Sequence, residues 1–167
     1  MSLISFIKDA GEKLFGRKDA AAAPAAAGPD AATLQAQADQ ANQTAATAIE
    51  SYIRAQGLNV DGLDVAFDGT TGTVSVAGQA PDQATREKVV LCCGNVNGVS
   101  QVDDAMSVAE TADESSYYTV ARGDTLSAIA KAQYGNANDY MKIFEANKPM
   151  LSSPDKIYPG QVLRIPA

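Results

Sequence analysis

Residues 117–167 follow a strand, turn, helix, helix, strand order, and this order constrains the fold more than any other feature of the sequence. The opening strand begins near Tyr118 and ends in a turn at Gly123. Leu126 and Ile129 are spaced so that they share one face of the helix that follows. Tyr158-Pro159-Gly160 then turns the chain into a closing strand. The chain therefore ends in a small domain that combines helices with two short strands.

A second unit, residues 44–109, has the predicted order helix, strand, strand, helix, strand. Ile49 and Tyr52 lie on one face of its first helix. Asp68-Gly69-Thr70-Thr71-Gly72 separates two alternating apolar runs and predicts a hairpin turn. We expect Pro81 in the first turn of the second helix. A polar linker, residues 110–116, separates the units, so the sequence predicts the α+β class with two small domains.

Two further segments precede these domains. Residues 1–16 carry Leu3 and Ile7 at helical spacing and predict a short amphipathic helix. Residues 17–43 form a linker rich in Ala, Pro and Gln. Within this linker, Pro29-Asp30 suits the start of a helix, because the Ala and Gln that follow favour helix.

The composition excludes several classes of function. The formal net charge is −7, which argues against binding nucleic-acid phosphates because that requires clustered Lys and Arg. Histidine is absent, so Ser-His and Cys-His nucleophile pairs are impossible. Cys92 and Cys93 are adjacent and cannot form a disulfide framework. The spacing of Glu145 and Asp155 does not suggest the carboxylate pair of a glycosidase. We therefore expect a binding protein and no enzyme.

The sequence also bears on location. It has no run of about eighteen apolar residues, so we expect no transmembrane segment. Its first residues lack a basic region, and charges at Lys8, Asp9 and Glu12 interrupt any apolar core of a signal peptide. We predict a cytoplasmic monomer.

The C-terminal domain resembles a LysM domain over Tyr118–Ala130 and Ile157–Pro166, in the right order and at the right separation. LysM domains hold glycans that contain N-acetylglucosamine, and the resemblance implies a shallow groove between two loops. The positions matching that groove are Gly123, Asp124, Thr125, Leu126, Ile157, Tyr158 and Pro159. The alternative is that Asp124 and Thr125 only cap a helix and that Tyr158-Pro159-Gly160 only turns the chain.

Residues 72–78 and 96–104 resemble a BON domain, a module usually assigned to phospholipid or small-ligand binding. The loop 94–99 in this unit, Gly94-Asn95-Val96-Asn97-Gly98-Val99, follows a helix C-terminus, where unpaired carbonyl groups carry partial negative charge. Glycines allow the backbone to fold so that several carbonyls converge. Converging neutral carbonyls suit a large monovalent cation better than a small divalent one. The alternative for this loop is a tight turn that binds nothing.

The whole chain resembles the cytoplasmic bacterial BON–LysM potassium-binding family, most closely over residues 3–15 and 86–167. The resemblance implies a K+ sensor or buffer that closes its two domains around the ion. It also implies that backbone carbonyl groups bind the K+; the matching positions are Ile7, Ala10, Gly94, Val96 and Val99. The alternative is an adaptor of the cell envelope that binds peptidoglycan through its LysM domain.

Overall fold

The computed structural model describes residues 30–110 and 112–167. The amphipathic segment 1–16, with Ile7 and Ala10, and the start of the linker lie outside the described residues. In chain order the elements are α1 (Ala31–Ala55), β1 (Asp61–Asp68), β2 (Thr73–Asp82), α2 (Gln83–Gly94), β3 (Gln101–Glu110), β4 (Ser116–Thr119), α3 (Leu126–Tyr134), a 3-10 turn (Ala137–Asp139), α4 (Tyr140–Ala146) and β5 (Val162–Ile165). The α+β class and both predicted element orders are therefore confirmed.

The first module, residues 31–110, packs two helices on a three-stranded sheet. The sheet order is β1-β2-β3, with β1 antiparallel and β3 parallel to the central β2. Val74 and Val76 alternate toward the helices and are almost fully buried. Ile49 and Ile53 of α1 and Val89 of α2 cover them. The sheet and the two helices thus share one apolar core.

The second module, residues 116–166, pairs β4 with β5 in antiparallel fashion and packs α3 and α4 around a separate core. Its largest fully buried side chains include Ile129, Ile143 and Leu163. A core this small stabilises a domain only marginally. Contacts with the first module therefore matter more to its stability than they would in a larger domain.

Helix α1 starts where the Pro29-Asp30 signal predicted a helix to start. It begins at Ala31, and the side chain of Asp30 caps it by accepting a hydrogen bond from the Thr33 N–H at 2.8 Å. Residues 31–43, which we had placed in the linker, are therefore helical. Asn42 fixes this part of α1 to the sheet, because its Oδ1 accepts the Gly69 N–H at 3.0 Å.

Pro81 lies in β2. We had expected it in the first turn of α2. The helix starts at Gln83, after Asp82 accepts a hydrogen bond from the Thr85 N–H at 2.6 Å. Strand β1 pairs with β2 only as far as Gln79, so Pro81 lies where β2 has a free edge on that side. A residue without an N–H is tolerated there because no partner strand requires it.

The β1–β2 turn packs directly on the loop that follows α2. Gly72 has φ +69°, and its carbonyl accepts the Ser100 N–H at 2.8 Å. A Cβ at this position would lie 2.9 Å from the Gly98 carbonyl oxygen, which is too close for a real contact. The turn and the loop are therefore fitted to each other, and only glycine satisfies both the backbone angle and the space.

We predict that Gly72→Ala destabilises the protein more than Gly57→Ala. Both glycines have similar positive φ values, 69° and 72°, but nothing lies within 4 Å of a Cβ at Gly57. The Gly57 variant should lose about 1–2 kcal/mol, the cost of the left-handed conformation alone. Chemical denaturation measures the difference, and equal losses in the two variants would contradict the fit of turn to loop.

Candidate functional site

The loop 94–99 is compact because hydrogen bonds close both of its ends. Asn95 caps the helix, its N–H donating to the Leu91 carbonyl at 3.1 Å, and the Val96 N–H donates to the Cys93 carbonyl at 3.1 Å. The Val99 N–H then donates to the Val96 carbonyl at 3.1 Å, which forms a turn containing Gly98 at φ +92°. The structure thus gives the loop one defined backbone path.

Several carbonyl oxygens of the loop have unused capacity to accept hydrogen bonds from the residues that the structure describes. Among residues 30–110 and 112–167, no hydrogen-bond donor reaches the carbonyl oxygens of Gly94 and Val99, and that of Val96 accepts only one bond. The side chains of Val96 and Val99 pack against the core of the first module, so they cannot ligate an ion. Three of the five predicted K+ positions lie in this loop, and in two of them the carbonyl oxygen has no donor among the described residues.

Acidic side chains do not provide an alternative metal site in the part of the chain that the structure describes. No group of three or more Cys, Asp or Glu residues there is arranged to hold a metal ion. Divalent ions such as Ca²⁺ and Mg²⁺ usually need carboxylate ligands. The chemistry of loop 94–99 is therefore that of neutral oxygens at a helix C-terminus, where the backbone dipoles add partial negative charge.

The two modules meet at this loop. The Asn95 Nδ2 donates to the Val162 carbonyl at 3.0 Å, and the Val162 N–H donates to the Asn95 Oδ1 at 2.9 Å. The same Nδ2 also donates to the Leu91 carbonyl at 3.1 Å. The side chain of Asn95 therefore closes α2 and holds β5 of the second module at once.

A buried ion pair forms the second contact between the modules. The Arg164 Nε donates to Glu87, whose side chain is only 5% exposed. Glu87 also accepts hydrogen bonds from the Gln83 Nε2 at 3.0 Å and the Ser115 N–H at 2.8 Å. Burial alone would raise the pKa of Glu87, but these hydrogen bonds together outweigh it and hold the pKa below its usual value. The carboxylate thus joins α2, the inter-module linker and β5.

The cysteines belong to this junction as structural groups. Both Cys92 and Cys93 are buried, and burial raises the pKa of each thiol to about 12. The Cys92 Sγ lies 3.0 Å from the Sδ of Met150 in the second module. A thiol with so high a pKa is protonated at neutral pH, and this state disfavours thiolate chemistry.

In the first loop of the predicted glycan groove, most side chains are engaged within the module, in hydrogen bonds or in the core. Thr125 caps α3 by accepting the Ala128 N–H, and Asp124 accepts hydrogen bonds from the Tyr118 hydroxyl and the Ala121 N–H. Leu126 is 2% exposed and belongs to the core, so its side chain cannot cover a sugar as we had expected. Gly123 is exposed. This loop therefore offers a glycan mainly backbone groups.

The facing loop is more open. Tyr158 is 50% exposed and Pro159 is also exposed, whereas Ile157 is half-buried against the core. The Gln161 N–H donates to the Tyr158 carbonyl at 3.1 Å and closes a turn through Gly160. The aromatic ring of Tyr158 is therefore the one large apolar surface among the seven predicted groove positions.

Sequence reasoning missed the residues that join the modules: Asn95, Glu87 and Arg164. Asn95 carried a weak signal, because asparagine commonly ends a helix. Nothing in the sequence indicated that its side chain would bond to a residue 67 positions later. Gly94, Val96 and Val99 came from the family resemblance and from the glycines of the loop.

Comparisons with known proteins agree with this geometry. The BON domain family matches residues 41–110 and the LysM domain family matches residues 118–166. The chain is 46% identical over 166 residues to the potassium binding protein Kbp of Escherichia coli O6:H1 strain CFT073, covering 99% of each chain.

The chain belongs to the BON–LysM family that includes this Escherichia coli protein. An uncharacterized protein of Deinococcus radiodurans is 38% identical over 133 residues, which cover 72% of this chain and 51% of that one. The predicted family and the predicted presence of both domains are confirmed. Among the described helices of this family member, none is both long and apolar enough to cross a membrane.

The ion pair at the junction makes stability depend on pH. Since the folded pKa of Glu87 lies below its reference value of 4.5, its contribution is complete above that value and disappears as the pH falls through the folded pKa. We predict that Glu87→Gln lowers the melting temperature at pH 7 and flattens its fall between about pH 5 and 3.

The control for this prediction is Glu145→Gln. Glu145 is 56% exposed and pairs with Lys148 at the surface, where ion pairs contribute little. This variant should keep the pH profile of the wild type. Thermal unfolding followed by circular dichroism measures all three proteins, and an unchanged profile for Glu87→Gln would contradict the role assigned to the pair.

Proposed function

We propose that this protein binds K+ through the backbone carbonyls of loop 94–99. The observation that carries the proposal lies in the loop next to the module junction: the carbonyls of Gly94 and Val99 have no donor within the described part of the chain. The Escherichia coli relative, similar over its full length, is named a potassium binding protein.

The ligand set explains the preference for K+. Neutral carbonyl oxygens replace the weakly held water of a large monovalent ion at lower cost than the tightly held water of Na+ or Mg²⁺. Loop 94–99 supplies Gly94, Val96 and Val99, and we propose that the carbonyls of Ile7 and Ala10 complete the site. Since only the backbone ligates, the valine side chains remain free to pack in the core.

We further propose that the protein is a cytoplasmic monomer that senses or buffers K+ and catalyses no reaction. The ion would stabilise the arrangement in which the two modules are joined, because the binding loop is also a contact of the junction. A ligand that binds only this arrangement must raise its population.

Potassium should therefore stabilise the protein and sodium should not. At a K+ concentration 100 times Kd, the expected gain is about 2.7 kcal/mol. The measurement is the melting temperature in KCl and in NaCl at equal ionic strength. Equal melting temperatures in the two salts would remove the proposal.

A matched pair of glycine variants localises the effect. Gly98→Ala and Gly135→Ala each place a Cβ at a positive φ, 92° and 78°, with nothing within 4 Å, so both carry a similar backbone cost. Only Gly98 lies in the loop, and its variant alone should lose the difference in melting temperature between KCl and NaCl. If Gly135→Ala loses it too, the site is not in this loop.

The second candidate function, glycan binding, is favoured by the LysM match and by the exposed ring of Tyr158. In this function the protein would be an envelope adaptor that binds peptidoglycan. The ring would cover the apolar face of an N-acetylglucosamine unit, and the backbone near Gly123 would bond to the acetamide group.

Cosedimentation with purified peptidoglycan tests this second function. Tyr158→Ala should release the protein into the supernatant, because it removes the main apolar contact. Met141→Ala is the control, since Met141 is similarly exposed, at 43%, on α4 of the same module. A wild-type protein that stays in the supernatant excludes glycan binding.

A further inference from the structure

Strand β5 of the LysM module has one edge that no strand covers among residues 30–110 and 112–167. In an antiparallel pair, alternate residues turn their backbone N–H and C=O groups away from the partner strand. In β5 these residues are Val162 and Arg164. Their backbone groups would be unsatisfied in the junction without other partners, which would cost stability.

Two asparagines supply those partners in the same way. The Asn147 Nδ2 donates to the Arg164 carbonyl at 2.8 Å, and the Arg164 N–H donates to the Asn147 Oδ1 at 2.8 Å. Asn95 makes the same two bonds with Val162, at 3.0 and 2.9 Å. Each carboxamide thus acts as a short piece of a neighbouring strand. Asn147 belongs to the LysM module, whereas Asn95 belongs to the BON module.

Asn95 also lies inside the proposed ion loop, between Gly94 and Val96. The Gly94 carbonyl and the Asn95 N–H belong to one planar peptide unit, so one cannot turn without the other. The backbone and side chain of Asn95 both bond to the Leu91 carbonyl, which fixes the residue on the end of α2. Asn95 therefore sets the orientation of the Gly94 carbonyl and also makes the hydrogen bonds to Val162.

We propose that Asn95 is the positioning residue that couples K+ occupancy of the loop to docking of the LysM module. This inference rests on the proposed function. An ion that holds the Gly94 carbonyl in place orders Asn95 and favours its bonds to Val162. By linkage, a docked LysM module holds Asn95 and raises the affinity of the loop for K+ by the same factor.

Three full-length variants test the coupling. Asn95→Ala removes the carboxamide. Val162→Pro removes the N–H that donates to Asn95 and keeps the carbonyl that accepts from it. It changes no residue of loop 94–99, and proline is tolerated at the first position of a strand. Asn97→Ala is the control, because Asn97 is an exposed asparagine in the same loop. Calorimetric titration with KCl measures the affinity of each variant.

We expect Asn95→Ala and Val162→Pro each to weaken K+ binding about tenfold, whereas Asn97→Ala binds like the wild type. Tenfold corresponds to about 1.4 kcal/mol, within the range of one lost hydrogen bond, and both variants lose the bond between the Val162 N–H and Asn95. If both variants bind K+ with wild-type affinity and only lower the melting temperature equally in KCl and NaCl, Asn95 is merely structural and the coupling is excluded. Val162→Pro keeps the test decisive if Asn95→Ala does not fold.

Amide hydrogen exchange gives a direct second measurement. The Val162 N–H donates to Asn95, so its exchange rate reports docking. In the wild type, K+ should slow exchange at Val162 more than at Leu163, which faces β4, and Asn95→Ala should abolish this difference. If the wild type does not bind K+, the proposed function is wrong. If the wild type binds K+ but the exchange rate at Val162 does not change, only the coupling is wrong.

Discussion

The joined structure depends on how the free edge of β5 is satisfied. Backbone groups cannot be buried without partners, and the small LysM core has little stability to spare for such a loss. Asn147, in the LysM module, accepts the Arg164 N–H, and Asn95, in the BON module, accepts the Val162 N–H. The BON module is therefore needed to complete the hydrogen bonding of the LysM module, and this makes their association specific. The Glu87–Arg164 pair adds charge to the same surface but cannot fix its register as two directional backbone bonds do.

The net charge of the chain and the local polarity of the loop have different electrostatic effects. The chain carries a net charge of −7, yet the proposed ion loop contains only neutral oxygens. A net negative charge attracts any cation weakly, whereas in the proposed site the helix end and the loop carbonyls would discriminate among cations by size and hydration. The buried carboxylate that does lie nearby, Glu87, is already committed to Gln83, Ser115 and Arg164. Its hydrogen bonds order the junction, and the proposed ion site does not use this carboxylate.

Much of the fold could be predicted because its signals are local. The Asp68–Gly72 turn, the end of α2 near Gly94 and the Thr125 cap each depend on a few adjacent residues, and the structure places all three as expected. Predictions failed where distant contacts override a local pattern. Leu126 occupies a position that matches the glycan groove, but its side chain is drawn into the core of the LysM module. The bonds of Asn95 to Val162 join two modules, and no local pattern encodes such a pair.

The length of α1 has a further consequence for how the ion site is assembled. From Asn42, where the helix is tied to the β1–β2 turn, eleven residues lead back to Ala31, a distance of about 16 Å along a rigid rod. In the sequence, the segment that carries Ile7 and Ala10 precedes this end of the helix. Lengthening a tether lowers effective concentration only slowly. If the carbonyls of Ile7 and Ala10 complete the site as proposed, the length of α1 would therefore affect how readily they join those of loop 94–99.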